Sequence, residues 1–192
     1  MKWIVGILAA VLVCVVVYIG SAFVSVLALV SAVRNGDANQ IMTRTDIPRV
    51  RHSLVDQLIS AYLDRLGQKR PVRPIERMAI NTLGTSIADD FATKLTTPEN
   101  LSVLLRSGTV RNAADNISFG TMASLANFDA ANIFAVIGRI TPVKPVEFSL
   151  TLGPGENAGS ISMHFEGTAW KLSGITLPPR VIAAMVDRLP AR

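Results

Sequence analysis

The sequence predicts an α+β fold: an N-terminal transmembrane helix, several amphipathic helices, then a C-terminal antiparallel sheet of about four strands with a short closing helix. Three observations predict it. Trp3 to Val33 contains no charged residue. From Asp37 to Gly108 apolar residues recur every three or four positions. Beyond Gly108 the repeat changes to alternation. The expected division is an anchor over residues 1–22 and one α+β domain over 23–192, a length that a single hydrophobic core can serve.

The anchor comes first. Trp3 to Gly20 is long and apolar enough to cross a hydrocarbon layer, which takes about 20 residues. Trp3 and Tyr18 sit near its ends, where amphipathic rings prefer the interface. The expected lipid contact is therefore residues 3–20. A cleaved signal peptide is the rival, with Gly20-Ser21-Ala22 as a small-residue cleavage site; the apolar run is longer than a signal needs. Lys2 before the span lies closer to it than Arg34 after it. That places the N-terminus in the cytoplasm and the domain on the exported side.

The helix continues past the span with Phe23, Val26, Leu27, Val30 and Val33 on one face, and stops at Asn35-Gly36. Asp37 caps a short second helix, with Gln40 completing a capping box. Asp46 opens a third, whose apolar stripe runs Ile47, Val50, Leu54, Leu58, Tyr62, Leu66. A fourth follows over about Ile75 to Leu95. Thr97-Pro98-Glu99 starts a fifth, with a threonine cap, proline at N1 and an acid near the positive dipole end. Gly108 closes it.

The expected strands are Ile133 to Ile140, then Val146, Phe148, Leu150, Leu152 facing inward, then Ile161, Met163, Phe165. Trp170 and Leu172 restart the inward face, but Ile175 and Leu177 are out of phase by one. A bulge at Ser173-Gly174 restores it, with glycine suggesting a positive φ. Pro178-Pro179 ends the strand, and Arg180 to Leu189 forms the closing helix.

The net charge of +5 is uneven. Residues 44–77 carry eight cations against four acids. This stretch is a candidate contact for anionic lipid headgroups or a membrane-protein partner, against the plainer reading of a solvated helix face. The aromatic among these cations, Tyr62, belongs to the apolar stripe of the third helix, so nucleic acid is not an expected partner.

The residues for most catalytic chemistry are sparse. Cys14 is the one cysteine and lies in the apolar run; Val13 before it is too large for a lipidation site. His52 and His164 share no metal-ligand spacing. No Gly-x-Ser-x-Gly elbow or phosphate-binding lysine loop occurs, and Gly153 to Gly159 reads as a hairpin loop. The adjacent pair Asp89-Asp90 points about 100° apart on a helix and does not converge. Glu147, Glu156 and Glu166 are spread over the hairpins, and Trp170 is a core residue or a pocket wall. No catalytic, cofactor or metal residue is assigned.

Several landmarks occur together in one family. Ala32-Val33-Arg34-Asn35-Gly36-Asp37 followed by Asp46-Ile47-Pro48, then Thr97-Pro98-Glu99, then Trp170-Lys171-Leu172 with Ile175-Thr176-Leu177-Pro178, resemble the bacterial domain of unknown function 2939. The resemblance spans about Ser21 to Pro178. The chain departs from it by continuing beyond Pro178. It implies a bacterial protein with an N-terminal membrane segment, hence the inner membrane with a periplasmic domain. It implies no activity, cofactor or site residue.

The leading functional reading is an interaction or small-ligand-binding module on a single-pass anchor. The alternatives are a structural accessory subunit of a membrane complex, and a hydrolase assembled from scattered carboxylates. A hollow sheet with converging polar groups favours the first, an exposed apolar patch the second, and a buried carboxylate or histidine in a cleft the third.

Overall fold

A computed structural model of the chain describes residues 2–69, 74–112, 117–129, 136–155 and 157–187. Helix α1 (Lys2–Asn35) is continuous through the apolar run and on into the domain. Trp3 to Val17 project into open space, and the helix begins to be covered at Tyr18. Its last three turns bury Val26, Leu29, Val30, Ala32 and Val33. That face is wider than its expected stripe, because α1 meets both helices and the last strand. Arg34 ends it by donating to the carbonyls of Ala126 and Phe128, both at 2.8 Å.

The caps fall where the side chains dictate. The Asp37 carboxylate accepts from Gln40 N–H at 3.0 Å and starts α2 (Ala38–Thr43). Asp46 accepts from Arg49 N–H and starts α3 (Ile47–Lys69). Next comes α4 (Pro74–Leu95), and Thr97 caps α5 (Pro98–Ser107). Gly108 closes α5 at φ +73°; a Cβ there would lie 2.1 Å from the Met122 carbonyl oxygen, so only glycine fits.

A hairpin that the alternation did not reveal follows α5: β1 (Thr109–Asn112) pairs antiparallel with β2 (Ile117–Thr121). The main sheet is an antiparallel meander β3-β4-β5-β6, formed by β3 (Ile140–Lys144), β4 (Glu147–Thr151), β5 (Ser160–Glu166) and β6 (Ala169–Thr176). The strand expected over Ile133 to Ile140 is corrected. Val136 and Ile137 form a helical turn, and the strand begins only at Ile140. Residues 133–135 of that reading lie outside the described residues. Helix α6 (Pro179–Val186) packs on α3 and β2; residues 188 and 189 of the expected closing helix lie outside the described residues.

One face of the sheet is filled. Leu150, Ile161, Met163, Leu172 and Ile175 are completely buried, in one core with Leu29, Val33, Ile41 and Leu54. Val146, expected to face inward, is instead exposed at the end of its strand. The free edge of β6 is closed by the helices. Leu172 exchanges backbone hydrogen bonds with Arg44 and Asp46, both at 2.8 Å. About three turns further along α3, Gln57 donates to the Ile175 carbonyl at 2.8 Å and accepts from Leu177 N–H at 2.9 Å. The opposite edge, β3, is exposed and carries Pro142, which cannot template a further strand.

The bulge lies at the expected pair: Ser162 opposes Gly174 and Met163 opposes Leu172, leaving Ser173 as the extra residue. The expected reason for the glycine is wrong. Gly174 is not among the positive-φ glycines. A Cβ there would sit 3.2 Å from Ser53 Oγ and 3.4 Å from Ser162 Cβ, so the glycine lets α3 lie close against the strand. Gly174→Val is therefore expected to cost about 1–3 kcal/mol through overpacking. Ser173→Val loses a 3.3 Å hydrogen bond to the Ser162 carbonyl, worth about 1 kcal/mol. Urea denaturation of both variants checks the order; equal small losses would contradict the close approach.

Candidate functional site at the foot of the sheet

In a meander, alternate turns lie at the same end. The β3–β4 turn at Pro145-Val146 and the β5–β6 turn at Gly167-Thr168 share one end of this sheet, here called its foot. Helix α1 arrives there. Tyr18 donates its hydroxyl proton to the Pro145 carbonyl at 2.5 Å. Its ring lies 5.7 Å from Phe165 and 5.2 Å from Trp170. Trp170 in turn lies 5.4 Å from Phe165 and 5.0 Å from Phe148, all in edge or tilted geometry, which suits aromatic quadrupoles. The buried indole needs a partner and finds it one helical turn beyond Tyr18: Trp170 Nε1 donates to Ser21 Oγ at 3.1 Å, and Ser21 donates to the Tyr18 carbonyl.

Charges rim the cluster in closed pairs. Lys144 meets Glu147 at 3.4 Å, and Lys171 meets Glu166 at 2.9 Å. The hydrogen bond from Lys171, helped by its charge, holds the Glu166 carboxyl below the ordinary carboxylate range. This pair therefore persists at neutral pH and is lost only as pH falls through that lowered value. His164 stands between Glu147 and Lys171 in register, its Nδ1 buried without a hydrogen-bond partner among the described residues. The foot is thus a packed aromatic joint with a charge-balanced rim. Trp170 is a core residue, not a pocket wall.

The other sequence candidates lie apart. His52 is exposed on α3, 3.3 Å from Asp56. Asp89 faces Arg51 at 4.0 Å while Asp90 pairs with Lys94 at 2.8 Å, so the adjacent carboxylates diverge. Among the described residues no three of His, Cys, Asp and Glu come close enough to hold a metal ion. The 153–159 loop joins β4 to β5, and Glu156 lies outside the described residues. In the basic stretch, Arg49 pairs with Asp46 at 3.1 Å and Arg65 with Asp187.

An open cavity of about 360 Å³ that sequence reading missed lies between β2 and α6, walled by Phe119, Met122, Pro178 and Val181 with Asn157 and Arg180 as polar groups. Its walls come from three segments distant in sequence, so no local pattern marks it.

The family model described as "Protein of unknown function (DUF2939)" matches residues 11–104. The match bears out the resemblance and runs from within the apolar helix to α5; the landmarks at Trp170 to Pro178 lie beyond it. No curated protein and no solved structure matches the chain.

Proposed function

We propose that the chain, whose residues 11–104 match the DUF2939 family model, is a single-pass membrane protein whose α+β domain is an interaction module seated at the membrane surface. The carrying observation is the continuity of α1. One helix leaves the exposed apolar run and enters the core without a break. A cut at Gly20 to Ala22 would fall inside the turn that holds Tyr18 and Ser21 against the sheet, which supports retention over cleavage. The filled sheet supports an interaction role over a cavity enclosed by the sheet. The proposed setting is the bacterial inner membrane, with the N-terminus cytoplasmic and the domain periplasmic. The proposed partner contact is the basic stretch 44–77, toward a membrane protein or anionic headgroups. The accessory-subunit reading shares this surface. Small-ligand binding has a separate candidate in the cavity beside Arg180.

The chain is expected to stay with the membrane fraction through high-salt and alkaline washing. Recovery of a soluble form lacking the first 22 residues would overturn the anchor. Protease added outside the intact inner membrane should remove the domain; protection would reverse the orientation.

A further inference from the structure

We propose that the foot of the sheet is itself a membrane-contacting surface: the β3–β4 turn, through Val143, Pro145 and Val146, is immersed in the interfacial layer of the bilayer that α1 crosses. This rests on the reading of α1 as a membrane span.

The first argument is length. A helix rises about 1.5 Å per residue, so Trp3 to Tyr18 covers about 22 Å. The hydrocarbon layer is about 30 Å thick. With Trp3 in the interface at one edge, Tyr18 reaches at most the interface at the other and does not stand beyond it. Yet Tyr18 and Ser21 already hold the domain, through Pro145 and Trp170. The turn cannot stand clear of the bilayer while its carbonyl is bonded to a side chain at that depth.

The second argument is the chemistry of the turn. Val143 is 55% exposed and Val146 is 41% exposed, on either side of Pro145. Water-exposed valines flanking a turn lose nothing by entering lipid and gain by it. The nearby charges would oppose entry if they were free. Instead Lys144 is paired with Glu147, and Lys171 with Glu166. The third argument is continuity. The exposed apolar surface of α1 runs through Ile19 as far as Val24 and adjoins the turn at Tyr18, whose hydroxyl meets the Pro145 carbonyl, so helix and turn share one surface around a residue suited to an interface. The balanced rim makes the contact independent of anionic headgroups.

The test uses the full chain in a Cys14→Ala background, reconstituted into phosphatidylcholine vesicles. Single cysteines at Val146, at Val11 within the span and at Asn157 near the opposite end of the sheet each carry a polarity-sensitive fluorophore. The Val146 label is expected to be quenched by lipids bearing shallow spin labels. It should also show a severalfold loss of iodide quenching relative to the Asn157 label. Adding phosphatidylglycerol should change neither result. Lipid quenching at Val11 with full iodide access at Val146 would overturn the proposal while leaving the anchor intact. No lipid quenching at Val11 would overturn both. Protection of Val146 only when phosphatidylglycerol is present would overturn the charge-independent contact in favour of headgroup attraction. A double variant, Val143→Asp with Val146→Asp, changes only exposed side chains; labelled at Thr168, it should regain iodide access if the foot is immersed.

Discussion

A fragment beginning at Asp37 is expected not to fold cooperatively, whereas one beginning at Ser21 should. The shorter fragment loses Val26, Leu29, Val30 and Val33, each at most 2% exposed. Burying such a side chain contributes about 1.5–3 kcal/mol, so these four carry about 6–12 kcal/mol. A domain's whole stability is about 5–15 kcal/mol. The cut also removes Arg34, which ties α1 to the carbonyls after β2, and leaves the Trp170 indole N–H without Ser21. Loss of near-ultraviolet circular dichroism and of a sigmoidal urea transition would show the effect. Equal transition midpoints for the two fragments would mean that α1 merely tethers the domain. On the proposed anchoring the functional consequence is coupling: a helix that serves bilayer and core alike would keep the domain from reorienting freely about it.

What could be read from the sequence was what local chemistry decides. Asp37 with Gln40, and Thr97 with Pro98, mark helix starts because the capping bonds form between near neighbours. The alternation through Phe148 to Leu152 and Ile161 to Phe165 marks strands because one face is buried and the other is not. The strand β3 lay hidden for the converse reason. It is an edge with little burial, and its central Pro142 argues against a strand. The apolar run before it drew the assignment upstream. Hairpin β1–β2 is too short for a period to emerge; Val110 and Phe119 are its buried residues among those described. At Gly174 the phase slip revealed the bulge, but the cause, the approach of Ser53 from α3, is a contact across more than a hundred residues. The foot of the sheet was half legible. Tyr18 announced an interface, and Trp170 an inward face, but that the two touch is decided by the length of α1 and the order of the strands.

Gln57 gives the second large effect, and no local pattern singled it out. Its amide closes the edge of β6, donating to the Ile175 carbonyl and accepting from Leu177 N–H. Ile175 is 0% exposed and Leu177 2% exposed, so water cannot readily replace the amide. A buried backbone group left without a partner costs about 1–3 kcal/mol. Gln57→Leu keeps most of the volume and strands both groups, so it should lower stability by about 2–4 kcal/mol in urea denaturation. Gln57→Glu separates the two bonds. The introduced carboxylate still accepts from Leu177 but faces the Ile175 carbonyl oxygen, and only its protonated form can donate there. Its folded-state pKa is thereby raised above the unfolded value of about 4.3. The folded state then binds the proton more tightly, so the stability of Gln57→Glu relative to the parent should rise as pH falls through that raised value toward about 4.3. A Gln57→Leu loss below about 0.5 kcal/mol, the usual size of a neutral surface change, would show that the edge of β6 is satisfied without the amide.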